Sequence, residues 1–441
     1  KRQWVPIVIF LFAYVAIASG RLHKTVAAVL GGAVLVLLGG VSAETAYAHV
    51  DLNVIFLLIG MMILVHLVAE TGFFQWMAVA LAKAARGNPV KILLSLFGAT
   101  ALLSALLDNV TTIVLMAPVT ILIADQLEAP PLPFLILEAL ASNIGGTGTL
   151  IGDPPNILIG SHAHLSFNQF LLNLGPIALL CLVVITVAIW LLFRRRLRVS
   201  EDVRARIRES DPAGAITDRS GAVRLGVVML LVLVGFFLHD LLKVQPSVVA
   251  LIGAMLGLIV TKKDVNEAFS AVEWPTLMFF VGLFLLVGGL EEKGVLPWVA
   301  GGIGDATKGR LFLTALFVLW GSALISAVVD NIPFVAAMIP VIGNLVPAIA
   351  AQMGLQDPSQ IQHLVAEPLW WSLALGACLG GNATLIGASA NVVMSGVAER
   401  HGHHISFGRF ALYGVPATFV TLLISSVYVY IRYFALAPGG G

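Results

Sequence analysis

Charge is scarce in this 441-residue chain: Asp, Glu, Lys and Arg make up 11% of it, where soluble domains carry about a quarter. That shortage excludes an ordinary water-soluble fold. Cysteine is rarer still, with Cys181 and Cys378 alone and both inside apolar segments, so neither a disulfide framework nor a multi-thiolate metal site can be built. There is no Gly-x-x-x-x-Gly-Lys nucleotide loop, so an ATPase, if one takes part, must come from a separate chain. With 25 basic residues against 24 acidic ones, no polybasic face for nucleic acid exists. The sequence therefore predicts neither an enzyme nor a bound cofactor. The histidines of "SHAH" (161–164) and "RHGHH" (400–404) suggest at most a surface metal, and no metal site is assigned.

Apolar residues, by contrast, fill 59% of the chain, and its mean hydropathy is +0.97. Runs at 4–18, 25–42, 52–69, 168–193, 223–241, 246–261, 274–290 and 407–431 are mostly near the ~20 residues that cross a bilayer, so helices do the spanning. This is an integral membrane protein in contact with lipid. The first residue is Lys and the last four read "PGGG", so both ends look trimmed and are set aside.

The chain also matches itself. At a constant offset of 222, Gly60 meets Gly282, Glu70 meets Glu292, Trp76 meets Trp298, Asp108 meets Asp330, Asn109 meets Asn331 and Pro118 meets Pro340. Farther on, loop insertions stretch the offset: "GGTGTLIG" (145–152) meets "GGNATLIG" (380–387), and Pro176 meets Pro416. The expected organisation is a first repeat over 1–193, with a re-entrant hairpin at 91–127 and a broken helix at 133–160. A basic linker follows at 194–222. The second repeat, over 223–434, has its hairpin at 310–350 and its broken helix at 367–399.

Each half is read as five crossings plus one hairpin that enters and leaves on one side, which inverts the second copy. The fold class is thus all-α membrane protein: two inverted-topology repeats, about ten full spans, two re-entrant hairpins and two discontinuous helices. With the arginine-rich linker in the cytoplasm, Arg21, Lys24, Lys83, Arg86, Lys91, Lys262, Lys263, Arg400 and Arg409 also fall inside. Lys1, Arg2, Lys243, Lys293, Lys308, Arg310 and Arg432 fall outside. That bias agrees with basic loops staying cytoplasmic. Inverted repeats are a secondary-transporter architecture with the site near the midplane.

Polar residues interrupt the apolar background at matched depth. "LLDNVTTIVLMAPV" (106–119) and "VVDNIPFVAAMIPV" (328–341) each carry an Asp-Asn pair. A carboxylate at mid-membrane costs about 3 kcal/mol on insertion scales. Asp108 and Asp330 suit a proton or cation carrier; each also stands where a helix cap would. "ALASNIGGTGTLIGDPPNILIG" (139–160) cannot stay helical throughout, and a helix broken there presents its inner ends to a ligand. Asn143, Thr147, Thr149, Asp153 and Asn156 supply more polar groups than close helix packing requires. The counterpart at 375–393 keeps the glycine pair and one asparagine but loses Asp153 and both prolines. Glu138, matched by Leu373, is either a further proton group or a residue near cytoplasmic water. Glu70, Glu291 and Glu292 read as interfacial, and His66 as a packing residue.

At these motifs the chain resembles the ion transporter superfamily over nearly its whole length. It looks most like the branch of ArsB-type arsenite efflux proteins, NhaD-type sodium/proton antiporters and the melanosomal P protein. "DNVTTIVLMAP" stands where related divalent-anion/sodium symporters carry a Ser-Asn-Thr hairpin signature, and "SNIGGTGTLIGDPPN" is similar to their broken-helix signature. The resemblance implies that Asp108, Asn109, Thr112, Asn143, Gly145, Thr147, Asp153 and Asn156 form one half of a site, and Asp330, Asn331, Asn382, Thr384 and Asn391 the other. It further implies a homodimer with an elevator-like motion. Aspartate replaces the symporters' serine in both halves, which argues against a dicarboxylate substrate.

The leading expectation is proton-coupled efflux of arsenite or antimonite, as the neutral trihydroxide, across a bacterial inner membrane. Asp108, Asp330 and Asp153 would carry the coupling charge, and Cys378, at the position matching Asn143, would offer a soft ligand for arsenic. Sodium/proton exchange on the same carboxylates is the rival, and a passive channel is a third class.

Overall fold

The computed structural model describes residues 4–19, 21–38 and 41–436, so Lys1, Arg2 and the closing "PGGG" lie outside the described residues. The first half runs α1 (Trp4–Ser19), α2 (Lys24–Leu37), α3 (Ala43–Ala48), α4 (Leu52–Glu70), α5 (Phe73–Ala84), α6 (Pro89–Leu106), α7 (Asn109–Gln126), α8 (Pro131–Thr147), α9 (Pro154–Ala163) and α10 (Phe167–Phe193). The linker carries α11 (Glu201–Glu209). The second half runs α12 (Arg219–Leu242), α13 (Pro246–Thr261), α14 (Val265–Ser270), α15 (Trp274–Glu292), α16 (Val295–Thr307), α17 (Leu311–Ser326) and α18 (Asn331–Gln352). It ends with α19 (Pro358–Ile361), α20 (Glu367–Gly380), α21 (Ser389–Arg400) and α22 (Phe407–Tyr430). Apart from α19, each element of the second half has its counterpart in the first, in the same order.

Local chemistry repeats with the elements. Gly72 and Gly294 open α5 and α16 at φ of 80° and 70°, a left-handed conformation that costs glycine nothing. The turns into α6 and α17 use Arg86–Gly87 and Lys308–Gly309, all four at positive φ. Asp108 and Asp330 cap α7 and α18 by accepting from Thr111 N and Ile332 N, which satisfies amides left free at a helix start.

Helices α2, α4, α13 and α15 form a frame in which each half grips the other: α4 packs on α13 and α2 on α15. A Cβ on Gly60 would stand 2.6 Å from the Ala250 backbone, and one on Gly282 would stand 2.5 Å from that of Ala28. Those glycines are needed because the helices touch backbone to backbone. Around this frame lie the hairpins α6–α7 and α17–α18 and the broken helices α8–α9 and α20–α21, crossed so that α7 packs on α21 and α18 on α9.

Helix lengths support about the predicted number of spans but differ in which helices supply them. Among the described residues nine helices are long and apolar enough to cross a bilayer, or ten if α16 and α17, bent by 117°, count as one. That set includes the hairpin arms α6, α7 and α18 and leaves out α1, α2 and α13, of 16, 14 and 16 residues. At 1.5 Å per residue a 14-residue helix reaches only about 21 Å, short of the ~30 Å hydrocarbon core. The hairpins begin at Pro89 and Leu311, and the broken helices turn at 148–153 and 381–388. The linker is docked: Arg206 meets Glu128 at 2.5 Å, Lys83 Nζ donates to Ser210 O at 2.9 Å, and Thr217 N donates to Thr71 O at 3.0 Å.

Candidate functional site

The hairpins are fastened to the broken helices by contacts that recur in both halves. Ser104 Oγ donates to Ser142 O at 2.6 Å, as Ser326 Oγ does to Ala377 O at 2.7 Å. Thr149 Oγ1 donates to Ala105 O at 2.6 Å, and Thr384 Oγ1 to Ala327 O. A Cβ on Gly145 would lie 2.0 Å from Ala101 O, and one on Gly380 2.4 Å from the Ala323 backbone. Gly145, Thr149 and Thr384, expected at the ligand, therefore spend their contacts on holding hairpin against broken helix.

The breaks themselves are closed by asparagine. Asn156 Nδ2 donates to the carbonyls of Gly146, Thr147 and Thr149 at 3.3, 3.1 and 2.9 Å. Asn391 Nδ2 does the same for Gly381 and Thr384 at 2.8 and 2.9 Å. Carbonyls that end a helix inside the membrane have no water to turn to, and the amide supplies the missing donor.

Between the two breaks lies a buried polar centre made by both halves. Asn143 Nδ2 donates to Asn382 Oδ1 and Asn391 Oδ1, both at 2.9 Å, while its Oδ1 accepts from Asn109 Nδ2 at 3.1 Å. Asn331 Nδ2 donates to the Asp153 carboxylate at 3.4 and 3.5 Å. Cys378 Sγ lies 3.6 Å from Asn156 Oδ1. All of these side chains are buried, as are Thr112 and Thr147. Thr147 is spoken for by Asn143 O at 2.7 Å, whereas Asn109 Oδ1, Thr112 Oγ1 and Asn382 Nδ2 have no partner among the described residues. Unmet hydrogen-bonding groups in a buried centre are where a ligand gains most.

A cavity of about 460 Å³ is lined by Asp108, Asp330 and Pro154, the chain neighbours of Asn109, Asn331 and Asp153 in this centre, and by Ser389, with His23, Lys24 and Glu273 also on its wall. The two aspartates sit differently within it. Asp108 is buried, caps α7 and has no ion pair among the described residues. Asp330 Oδ2 is 3.1 Å from Lys24 Nζ and accepts from Ser389 Oγ at 2.5 Å. The Lys24 ammonium, expected in a cytoplasmic loop, thus belongs to the site, and spacing along the chain could not show it, because Lys24 lies 306 residues from Asp330. Glu273, just ahead of α15, has its carboxyl pushed above the usual range by burial first and by the nearby Asp108 second, against a bond from Thr276 and the charge of Lys24.

A second cavity, of about 580 Å³, is the repeat counterpart of the first. It is lined by Asp51, Gln245, Pro246 and Ser247, which stand where Glu273, His23, Lys24 and Thr25 stand in the first, but it ends at Leu150 and Ile157 without reaching either aspartate. Glu138 lies apart from both cavities: its Oε1 accepts from Thr100 and Thr120 at 3.0 and 2.8 Å, Oε2 has no partner among the described residues, and the residue is 1% exposed. It is a buried carboxyl between α6, α7 and α8, away from bulk water.

Apolar helices of spanning length, two matched halves and a polar centre shared between them define a secondary membrane transporter. The chain belongs to the citrate transporter (CitMHS) family within the ion transporter superfamily, whose model matches residues 14–376. It is 44% identical to an uncharacterized transporter of Mycobacterium tuberculosis over 98% of this chain and 99% of that one. It is 32% identical to the P protein of Sus scrofa over 98% of this chain and 60% of that protein. The crystal structure of the Alcanivorax borkumensis YdaH transporter shares the fold, with a TM-score of 0.60 over 97% of both chains at 16% identity. These matches reach the superfamily and the P protein; they do not single out the arsenite efflux proteins.

Proposed function

We propose that this chain is a proton-coupled transporter that exports arsenite or antimonite as the neutral trihydroxide across a bacterial inner membrane. The observation that carries the reading is the pair of unmet groups at the centre, the acceptor Asn109 Oδ1 and the donor Asn382 Nδ2. A hydroxylated neutral ligand can serve both, donating to one and accepting from the other. The Cys378 thiol stands beside the same centre. Asp108, without a cation partner, and Asp153 carry the coupling proton, whose inward movement is driven by about 2.3 kcal/mol per 100 mV. A citrate anion, which the family's description names, would meet Asp108 and Glu273 in a cavity whose ammonium, that of Lys24, is already engaged by Asp330.

Sodium/proton exchange is the second reading, favoured by the buried Asp153 carboxylate and the unmet Asn109 Oδ1 as hard oxygen ligands. A passive path is separated from both by flux that persists without proton movement. In this reading the linker is cytoplasmic, the protein works as a homodimer, and hairpins and broken helices move together past the frame.

The test is purified protein in liposomes loaded with a pH dye, given arsenite, antimonite or Na⁺ in turn under an imposed pH gradient. A dye response to the metalloids and none to Na⁺ supports export of the trihydroxide; a response to Na⁺ alone replaces it with sodium exchange. Asp108→Asn keeps a capping side chain and removes the titratable group, so the expected result is a folded protein with no coupled dye response. Coupling that survives in this variant ends the carrier role of Asp108.

A further inference from the structure

The two hairpin tips are repeat-related, yet among the described residues only one is occupied by a positive charge. At the second tip, Lys24 Nζ donates to Asp330 Oδ2 at 3.1 Å and to Ser389 Oγ at 2.7 Å and stands 5.1 Å from the centre of the Phe279 ring. Ser389 Oγ closes the triangle on Asp330 Oδ2 at 2.5 Å. A carboxylate, a hydroxyl and a ring face are the partners that hold a monovalent cation. At the first tip the corresponding residues are Asp108, Pro154 and Leu57, and the position of Lys24 is taken by Pro246. That tip keeps its carboxylate, which the Thr111 hydroxyl bonds, and among the described residues it has no ammonium.

The mechanical setting matters as much as the contacts. Lys24 is the first residue of α2, which is held against α15 by the backbone contact at Gly282. Asp330 and Ser389 instead stand at the starts of α18 and α21, a hairpin arm and a broken-helix half. The cation is therefore delivered by the frame to a pocket built from the other set of helices.

We propose that Lys24 is a tethered cation filling one of two repeat-related cation sites, so that only the Asp108 site exchanges a proton or free monovalent cation during transport. The inference rests on the transporter reading of this site, and not on which solute is carried. Of the two hairpin tips, only one then exchanges charge in a cycle, because the Asp330 site arrives already paired with Lys24. Asp330 faces Lys24 and Ser389 directly, and Tyr14, Glu273, His23, Asp108 and Asp153 surround it. Removing the tether uncovers a carboxylate and a hydroxyl at a site open to the cavity, which a small free cation can then enter.

The test uses full-length Lys24→Ala, Lys24→Arg and the Lys24→Ala/Asp330→Asn pair, each melted in detergent with Na⁺, ethylammonium or choline at equal ionic strength. A cation that binds only the folded protein raises its melting temperature. Lys24→Ala should gain a Na⁺ or ethylammonium shift beyond that of the unsubstituted protein; Lys24→Arg, still carrying a tethered charge, should not. The paired variant, lacking the carboxylate, should lose the gain. In liposomes, the dye response of Lys24→Ala should fall about tenfold in choline, the size of losing a charge-assisted hydrogen bond, and recover with Na⁺ or ethylammonium. Melting and transport of Lys24→Ala that are equal in all three salts overturn the proposal and leave Lys24 a latch between the two sets of helices. The melting arm contains no metalloid, so its outcome stands whether or not arsenite proves to be the solute.

Discussion

The first and second halves share a skeleton almost contact for contact and differ in where they put charge. Gly145 and Gly380, Thr149 and Thr384, Asn156 and Asn391 do the same work at equivalent places. Asn143 against Cys378, Asp153 against Ala388 and Glu138 against Leu373 do not. The difference teaches which residues the fold requires and which the function selects. Groups that close a broken helix must be present twice, since each break exposes its own carbonyls. A carboxylate beside the ligand is needed only where charge is moved.

The largest expected effect comes from attacking the shared skeleton. Gly145→Ala would place a Cβ 2.0 Å from Ala101 O, with backbone on both sides and no flexible side chain to yield. A loss of about 3 kcal/mol or more, at the upper end for overpacking, should appear as poor recovery and a much lower melting temperature. Gly98→Ala, on the same hairpin with nothing within 4 Å, should be neutral or mildly stabilising. If the two variants melt alike, backbone contact does not explain the conserved spacing of α6 and α8 in the two halves.

A smaller effect tests the symmetry directly. Thr149→Val and Thr384→Val each remove one hydroxyl that braces a hairpin carbonyl, and each should cost about 1 kcal/mol. Equal losses in thermal unfolding sharpen the comparison; a loss confined to one half breaks it.

The smallest effect concerns the walls of the two cavities. Glu273 is held protonated to higher pH by burial and by Asp108, so the folded state binds its proton more tightly than the unfolded chain does. Its contribution to stability is therefore present at low pH and lost as pH rises through the raised folded value. Glu273→Gln should flatten the fall in melting temperature from acidic toward neutral pH. An unchanged slope would show that this carboxyl is better solvated than its place in the cavity indicates.

Much of this arrangement could be read along the chain, because its causes are local or periodic. The duplication surfaced as matched residues at a fixed offset, and the breaks as glycine and proline where a helix could not continue. Which of the singled-out polar residues face a ligand was a different matter. Thr149 and Gly145 looked the same in sequence as Asn143, yet the first two are spent on the hairpin, and only the fold shows the difference. Lys24, Ser389 and Glu273 escaped notice because no spacing rule connects the start of α2 with a hairpin tip in the other half. Likewise, the number of spans was legible but not which helices reach spanning length, since α2 and α13 are short and the hairpin arms α6, α7 and α18 are long.

By itself the sequence determined that this protein lives in a membrane, is helical, is built twice and places carboxylates at matched depths. Those properties follow from the solvation of apolar side chains and backbone groups, which depends on composition and short-range order along the chain. Only the tertiary structure decided that Asp330 pairs with Lys24 while Asp108 has no ion pair among the described residues, that two asparagine atoms at the centre lack partners among them, and that one cavity reaches the aspartates while its counterpart stops short. Each depends on groups hundreds of residues apart meeting within a few ångströms, and at that range Coulombic and hydrogen-bonding energies are set by distance and not by sequence position.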